Sequence, residues 1–304
     1  MNVVCLVRNG EKWIQSFLDH YFDLGAVHIC LMDNGSTDAT IRITRNHQNF
    51  NRVTILRSDL PFARYKYLLK WYLAAQFSGE GWVLLADIDE LFTYPMSIQL
   101  DLKGLLKYLN YYGYTSVVIQ MLDMFAEDPL KRSAPSTAEL LKEKYVYYDL
   151  DDLSYGTFSK STNSISNSKI RKLSGGIRKQ LFDVSPSLTK HSLFRPGNAN
   201  VEPALNSSHS VTGARIADIS CAFLHYKLVD GFYDFTNRAV AENNYYENSR
   251  EYKTYQRVLE NTREVRIAGP NTKLFKDTDT LVEEEFLVVS DAYRRWVSGY
   301  NCSP

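Results

Sequence analysis

The sequence predicts an α/β protein with a mostly parallel central sheet flanked by helices and a helical C-terminal extension. Two patterns predict it: short continuous apolar runs of strand length, and longer segments whose apolar residues recur at three- and four-residue spacing. The two alternate four times within the first 90 residues. Such alternation builds parallel strands joined by crossover helices.

Residues 3–7 (VVCLV) form the first run, of the kind buried on both faces of a sheet. From Trp13 the period changes: Trp13, Phe17, Leu18, Tyr21, Phe22 and Leu24 trace one helical face, and Gly25 ends it. A second strand covers 27–32, followed by the turn Asp33-Asn34-Gly35-Ser36 and a helix from Thr37 or Asp38 to about Asn46. Then come a strand at 53–56, a helix at 61–77 and a strand at 82–86 that runs into Asp87-Ile88-Asp89-Glu90. A helix at 102–111 and a strand at 115–124 follow. Residues 127–170, rich in Ser, Asp and Tyr with weak periodicity, read as loops or a lid. Beyond Gly175-Gly176-Ile177-Arg178 lie a short segment to Arg195, a polar run at 197–210 and an apolar strand at 219–224 that ends in His225. A helical pattern covers 230–264, and another lies near 283–296.

Open parallel sheets bind ligands at the carboxyl ends of their strands, where both polar clusters, 33–38 and 87–90, fall. On a strand, residues two apart share a side, so Asp87 and Asp89 are expected to project together. Two carboxylates held close suit Mg²⁺ or Mn²⁺, hard cations that share their shell with phosphates. Alternatively, they are a solvated helix start. A Walker B reading lacks its partner GxxxxGK[ST] loop, an aspartyl phosphatase would place Thr or Val where Leu91 stands, and RNGEKW replaces the GxGxxG of a dinucleotide fold.

Composition narrows the partners. Lys plus Arg and Asp plus Glu both total 35, and this balance disfavours nucleic acid. The apolar fraction of 44% is ordinary for a globular chain, whereas 21 Tyr is an excess that suits either packing or sugar stacking. Cys5, Cys30, Cys221 and Cys302 show no CxxC spacing and read as buried free thiols. With no leader-like start and no run of bilayer length, the chain reads as cytoplasmic, with peripheral contact at the inner membrane face left open.

Four segments, VVCLVRNGEKWIQSFLDHYFDLG (3–25), LMDNGSTDAT (31–40), WVLLADIDELFTYP (82–95) and LHYK (224–227), together resemble bacterial family 2-like glycosyltransferases of the GT-A fold. The resemblance implies a GT-A domain over 1–228, with a nucleotide-binding half (1–100) and an acceptor half (101–228), and a helical extension over 229–304. It implies that Asp87-Ile88-Asp89 is the metal-binding DxD motif, with His225 completing the shell around Mn²⁺ or Mg²⁺. Asp33 and Asn34 are then expected at the nucleotide, unless Asp33 is only an Asx-turn acceptor. Arg8 and Lys227 are expected at the phosphates, together with Asp87. Gly176 and Arg178 resemble the glycine loop beside the donor sugar, and Lys190 and His209 lie in segments similar to those of relatives. Asp123, at the end of a strand, and then Asp183 are the candidate catalytic bases. The implied activity is inverting, metal-dependent transfer of a sugar from a nucleotide-diphosphate donor, a UDP-sugar, to a hydroxyl of a glycan or glycolipid. The alternatives are an inactive nucleotide-sugar-binding protein and a metal-dependent phosphohydrolase. The Tyr-rich segments 108–155 and 226–255 are expected to offer an acceptor platform.

Overall fold

The computed structural model describes residues 1–79, 81–132, 141–158, 163–196, 202–203, 207–243 and 245–300. Strands β1 (Asn2–Val7), β2 (His28–Asp33) and β3 (Val53–Arg57) pair in parallel, and β4 (Val83–Leu85) pairs in parallel with the other edge of β1. Helices α1 (Ile14–Asp23), α2 (Thr40–Asn46) and α3 (Phe62–Phe77) make the crossovers, so the expected alternation is what forms. Alternate residues of β1 serve opposite layers. Val3, Cys5 and Val7 join a core with Phe17, Leu18 and Tyr21 of α1, while Val4 and Leu6 join a core with Leu69, Leu73 and Ala74 of α3. A strand buried on both faces has no polar side to show, which is why it reads as a continuous apolar run.

Beyond β4 the chain forms β5 (Glu90–Thr93), α4 (Leu102–Tyr111) and β6 (Ser116–Asp123). Strand Arg215–His225 lies parallel to β6 and antiparallel to β5. The gap between β4 and β6 is closed by strand Thr189–Phe194, antiparallel to both neighbours. The sequence reading left this stretch as a short segment. Its burial explains why: all six residues are buried, yet Thr189, Lys190, His191 and Ser192 are polar, so no apolar run marks the strand.

Three further expectations change. The described parts of 127–170 are tied to the rest of the protein by short ladders: Leu130–Lys131 with Glu264–Val265, Tyr147–Tyr148 with Lys273–Leu274, and Leu153–Gly156 with Lys172–Gly175. Residues 133–140 and 159–162 of that stretch, most of the polar run at 197–206, and Cys302 lie outside the described residues. The helical pattern over 230–264 is two helices, Phe232–Glu242 and Tyr246–Glu260, separated at Asn243, whose φ of 50° is left-handed. Near the C-terminus, helices Thr278–Glu283 and Asp291–Tyr300 replace the single one expected at 283–296. Cys5, Cys30 and Cys221 are buried free thiols, as their apolar surroundings suggested.

Candidate active site

The carboxyl ends of β1, β4, β6 and strand Arg215–His225 open on a cleft of about 900 Å³. Its other walls come from α3, the loop after helix Ile177–Phe182, and the pair Phe232–Glu242 and Tyr246–Glu260. Register assembles the floor. In the parallel ladder His225 lies opposite Asp123, and in the antiparallel ladder it lies opposite Glu90. Residues 86–89 have left the strand and form a turn, held down by Tyr226 N–H donating to the Asp89 carbonyl at 2.8 Å.

Because those residues turn, strand alternation does not govern Asp87 and Asp89, and the two carboxylates take separate partners. Asp87 accepts from Lys70 Nζ through Oδ1 at 2.6 Å and from Lys190 Nζ through Oδ2 at 2.9 Å. Lys190 also donates to Glu90, whose other oxygen accepts the Asp87 backbone N–H at 3.0 Å. Burial alone would raise the Asp87 pKa, but the two ammonium groups hold it well below the usual carboxylate range. Burial pushes Glu90 above its ordinary range, with Lys190 opposing. Asp87 lines the cleft with both oxygens engaged by lysines.

Asp89 meets His225 instead: Nε2 lies 3.4 Å from Asp89 Oδ2, while Nδ1 bonds Asp123 Oδ1 at 2.5 Å. Burial would lower the His225 pKa, but the flanking carboxylates Asp89 and Asp123 raise it to about 9. A carboxylate that binds one imidazole nitrogen and turns the other toward an oxygen ligand is the usual surrounding of a metal-ligating histidine. Mg²⁺ and Mn²⁺ sites often use only one or two protein carboxylates and complete their shell with waters and phosphates. A divalent cation at this place would displace the Nε2 proton that His225 holds against Asp89, with Asp89 and the neutral imidazole as its protein ligands. Among the described residues no cluster of three or more His, Cys, Asp or Glu could hold one alone.

Asp123 does not itself line the cleft. Its second oxygen accepts from Arg178 Nε at 2.8 Å, and its pKa, which burial would raise, is held far below the carboxylate range by Arg178 and His225. A carboxylate so bound is a poor proton acceptor, so the first-choice base is corrected to a residue that orients His225. Asp183 does line the cleft, in a left-handed conformation (φ 53°) at the end of helix Ile177–Phe182. Among the described residues no side chain bonds its carboxylate.

The other expected residues divide. Arg8, Lys190, His209, Lys227 and Arg178 line the cleft. Arg8 lies 3.6 Å from Glu242 across the mouth. His209 Nδ1–H donates to the Thr189 carbonyl at 2.8 Å, and burial lowers its pKa to about 4, keeping it neutral. Lys227 lies 3.4 Å from Glu251 and 4.7 Å above the Tyr252 ring. Asp33, Asn34 and Gly176 do not line the cleft. Asp33 Oδ1 accepts from Ser36 N–H at 3.0 Å, an Asx-type turn, and Asn34 Nδ2 donates to the carbonyls of Ser58 and Leu60. Gly175 serves packing, since a Cβ there would stand 2.4 Å from the Asp152 carbonyl oxygen, and Gly176 serves the turn through its φ of +70°. Residues 226–255 supply the cleft with Tyr245 and Tyr252, but 108–155 supply no ring.

The sequence reading did not single out Lys66, Lys70 or Glu251, and it met Glu90 only as a member of the acidic cluster 87–90. Lys66 and Lys70 are one helical turn apart on α3, which placed them on one face but did not say that the face overlooks strand ends. Burial lowers the Lys66 pKa to about 8, with Lys70 adding repulsion, Asp87 opposing, and Lys190 and Lys227 repelling further.

No family model matches the chain, and no curated protein matches it. Among solved structures, it overlaps S. aureus TarS 1–349 at 13% identity over 85% of this chain and 70% of that one, with a TM-score of 0.40. Against the longer S. aureus TarS chain the identity is 17% and the TM-score 0.32, and this chain spans 24% of that protein. It also overlaps glucosyl-3-phosphoglycerate synthase from Mycobacterium tuberculosis, in complex with Mn²⁺, UDP and phosphoglyceric acid, at 19% identity over 40% of this chain and 42% of that one, with a TM-score of 0.27. Overlaps this slight leave the chemistry of the site to its own residues.

Proposed function

We propose that this protein is a glycosyltransferase that moves a sugar from a UDP-sugar to a hydroxyl of a glycan or glycolipid, with inversion, using a divalent cation held by Asp89 and His225. The observation that carries the reading is the pair Asp89 and His225 on the cleft floor, with Asp123 bonded behind His225, set beside a bank of lysines. When bound, Mn²⁺ or Mg²⁺ would neutralise the charge that develops on the leaving nucleoside diphosphate. Lys66 and Lys227 supply further positive charge toward that group, and Arg8 closes on it from the end of β1. Lys190 and Lys70, tied to Asp87, brace the turn that presents Asp89. Asp183 accepts the proton of the attacking hydroxyl, since its carboxylate is the cleft acid left without a side-chain partner among the described residues.

A thermal-shift titration of nucleotide diphosphosugars with and without Mn²⁺ tests the reading. Stabilisation that requires both cation and donor is expected, because a ligand that binds only the folded state raises its stability by mass action. A flat response to every donor overturns it.

Two further outcomes follow from single residues. Asp123→Asn is expected to raise the Mn²⁺ concentration needed for half-maximal activity by roughly 10–100-fold, the usual effect of losing a partner of a metal-bound histidine. An unchanged Mn²⁺ requirement removes Asp123 from that role. Lys66 is charged below about pH 8 and loses its proton above it. An anion binds the charged form, so UDP affinity is expected to fall by up to about tenfold per pH unit above that point. The fall should be absent in Lys66→Met, measured by calorimetry.

A further inference from the structure

Arg178 is 3% exposed and lines the cleft. Its guanidinium is held on two sides, Nε on Asp123 Oδ2 at 2.8 Å and Nη1 on Glu251 Oε1 at 3.3 Å, yet its buried Nη2 has no hydrogen-bond partner among the described residues. An unpaired charged donor in a low-dielectric site is costly, and a protein keeps one where a ligand completes it. The charge around it is also shared thinly: Glu251 Oε1 serves Lys227 at 3.4 Å as well as Arg178. One carboxylate oxygen thus stands between two cations. Ser185, Ser187 and Thr254 also line the cleft.

Arg178 and Arg8 enter the cleft from different strand ends. Arg178 is bound to the end of β6, Arg8 follows β1, and strands β4 and Thr189–Phe194 lie between the two. Three strand spacings separate those ends by about 14 Å, more than one phosphate spans. Arg178 is instead five positions from Asp183, in the helix that Asp183 terminates.

We propose that Arg178 forms an anion subsite for the acceptor, so that the acceptor carries a phosphate or carboxylate close to the hydroxyl that is glycosylated. The inference rests on the transferase reading for the word acceptor, but the subsite stands on its own geometry. The guanidinium fork suits either oxyanion.

Calorimetric titration with inorganic phosphate, and separately with acetate, in the presence of saturating UDP and Mn²⁺, tests it. Phosphate binding with acetate silent names a phosphorylated acceptor, and the reverse names a carboxylate. Arg178→Gln is expected to weaken the binding anion by about tenfold. Because that variant strands Asp123 and can lose its fold, Glu251→Gln provides the opposite test. Removing the competing carboxylate is expected to tighten anion binding several-fold, a gain that misfolding cannot imitate. If neither anion binds, or if binding ignores both substitutions, the subsite does not exist. If UDP fails to bind, the donor reading falls, and the same titrations on the protein without UDP still decide the subsite.

Discussion

Asp89→Asn or His225→Ala is expected to lower sugar transfer by on the order of a thousandfold or more and to abolish any stabilisation by Mn²⁺. The magnitude follows from what the pair is asked to do. A departing nucleoside diphosphate develops charge that must be met within the cleft, and a bound divalent cation contributes several kcal/mol of that stabilisation. Asp89 is the acid that faces His225 Nε2, at 3.4 Å, and the ring cannot turn away while Nδ1 is bonded to Asp123. Neither group has a substitute nearby, since Asp87 is spent on Lys70 and Lys190. UDP release from a UDP-sugar, measured over a Mn²⁺ series, gives the answer. Mn²⁺-dependent turnover retained in either variant would falsify the assignment of that residue.

Lys190→Met is expected to cost about 3–5 kcal/mol of folding stability, the usual penalty for removing one partner of a buried ion pair. Lys190 and Glu90 are both inside the protein, with side chains 5% and 1% exposed. Without the ammonium, Glu90 must bury an uncompensated charge or take up a proton, and Asp87 keeps only Lys70. A loss of this size lowers the melting temperature by on the order of 5–10 °C. Adding Glu90→Gln should recover part of it, because the second substitution removes the stranded charge. Equal melting temperatures for Lys190→Met and the unaltered protein would show that the lysine is not a structural counter-charge.

How far the sequence discloses this molecule depends on which side of each element is buried. Strands β1, β2 and β4 are apolar on both faces and sit at the heart of the sheet, so their runs are plain to read. Thr189–Phe194 is just as central, but it carries Lys190, His191 and Ser192, polar residues that break the apolar run. Lys190 meets Asp87 and Glu90, about a hundred positions away, and only the assembled sheet gives that ammonium a reason to be inside. The same holds for the site. Asp89 and His225 were legible because each ends an apolar run. Asp123 was legible as a residue near the cleft, but its function depends on Arg178 and His225, which lie 55 and 102 positions away. Asp33 and Asn34 show the converse: a polar turn at a strand end can be wholly occupied with its own backbone. Lys66 and Lys70 share one face of a helix that the sequence shows only as a helix, and the packing of that helix on the sheet turns the face toward the cleft.

The antiparallel strand between β4 and β6 also sets a schedule for biosynthesis. A ribosome releases β1 to β4 about a hundred residues before it releases Thr189–Phe194, so during that interval one edge of β4 has no neighbour. Unpaired strand edges recruit other chains. Nascent chains halted before residue 189 should therefore stay sensitive to protease at β4 and associate with holdase chaperones, whereas chains released past residue 225 should resist. The lysine that braces the cleft arrives on that same late strand, so the turn at Asp87 gains its counter-charge only as the gap in the sheet is filled.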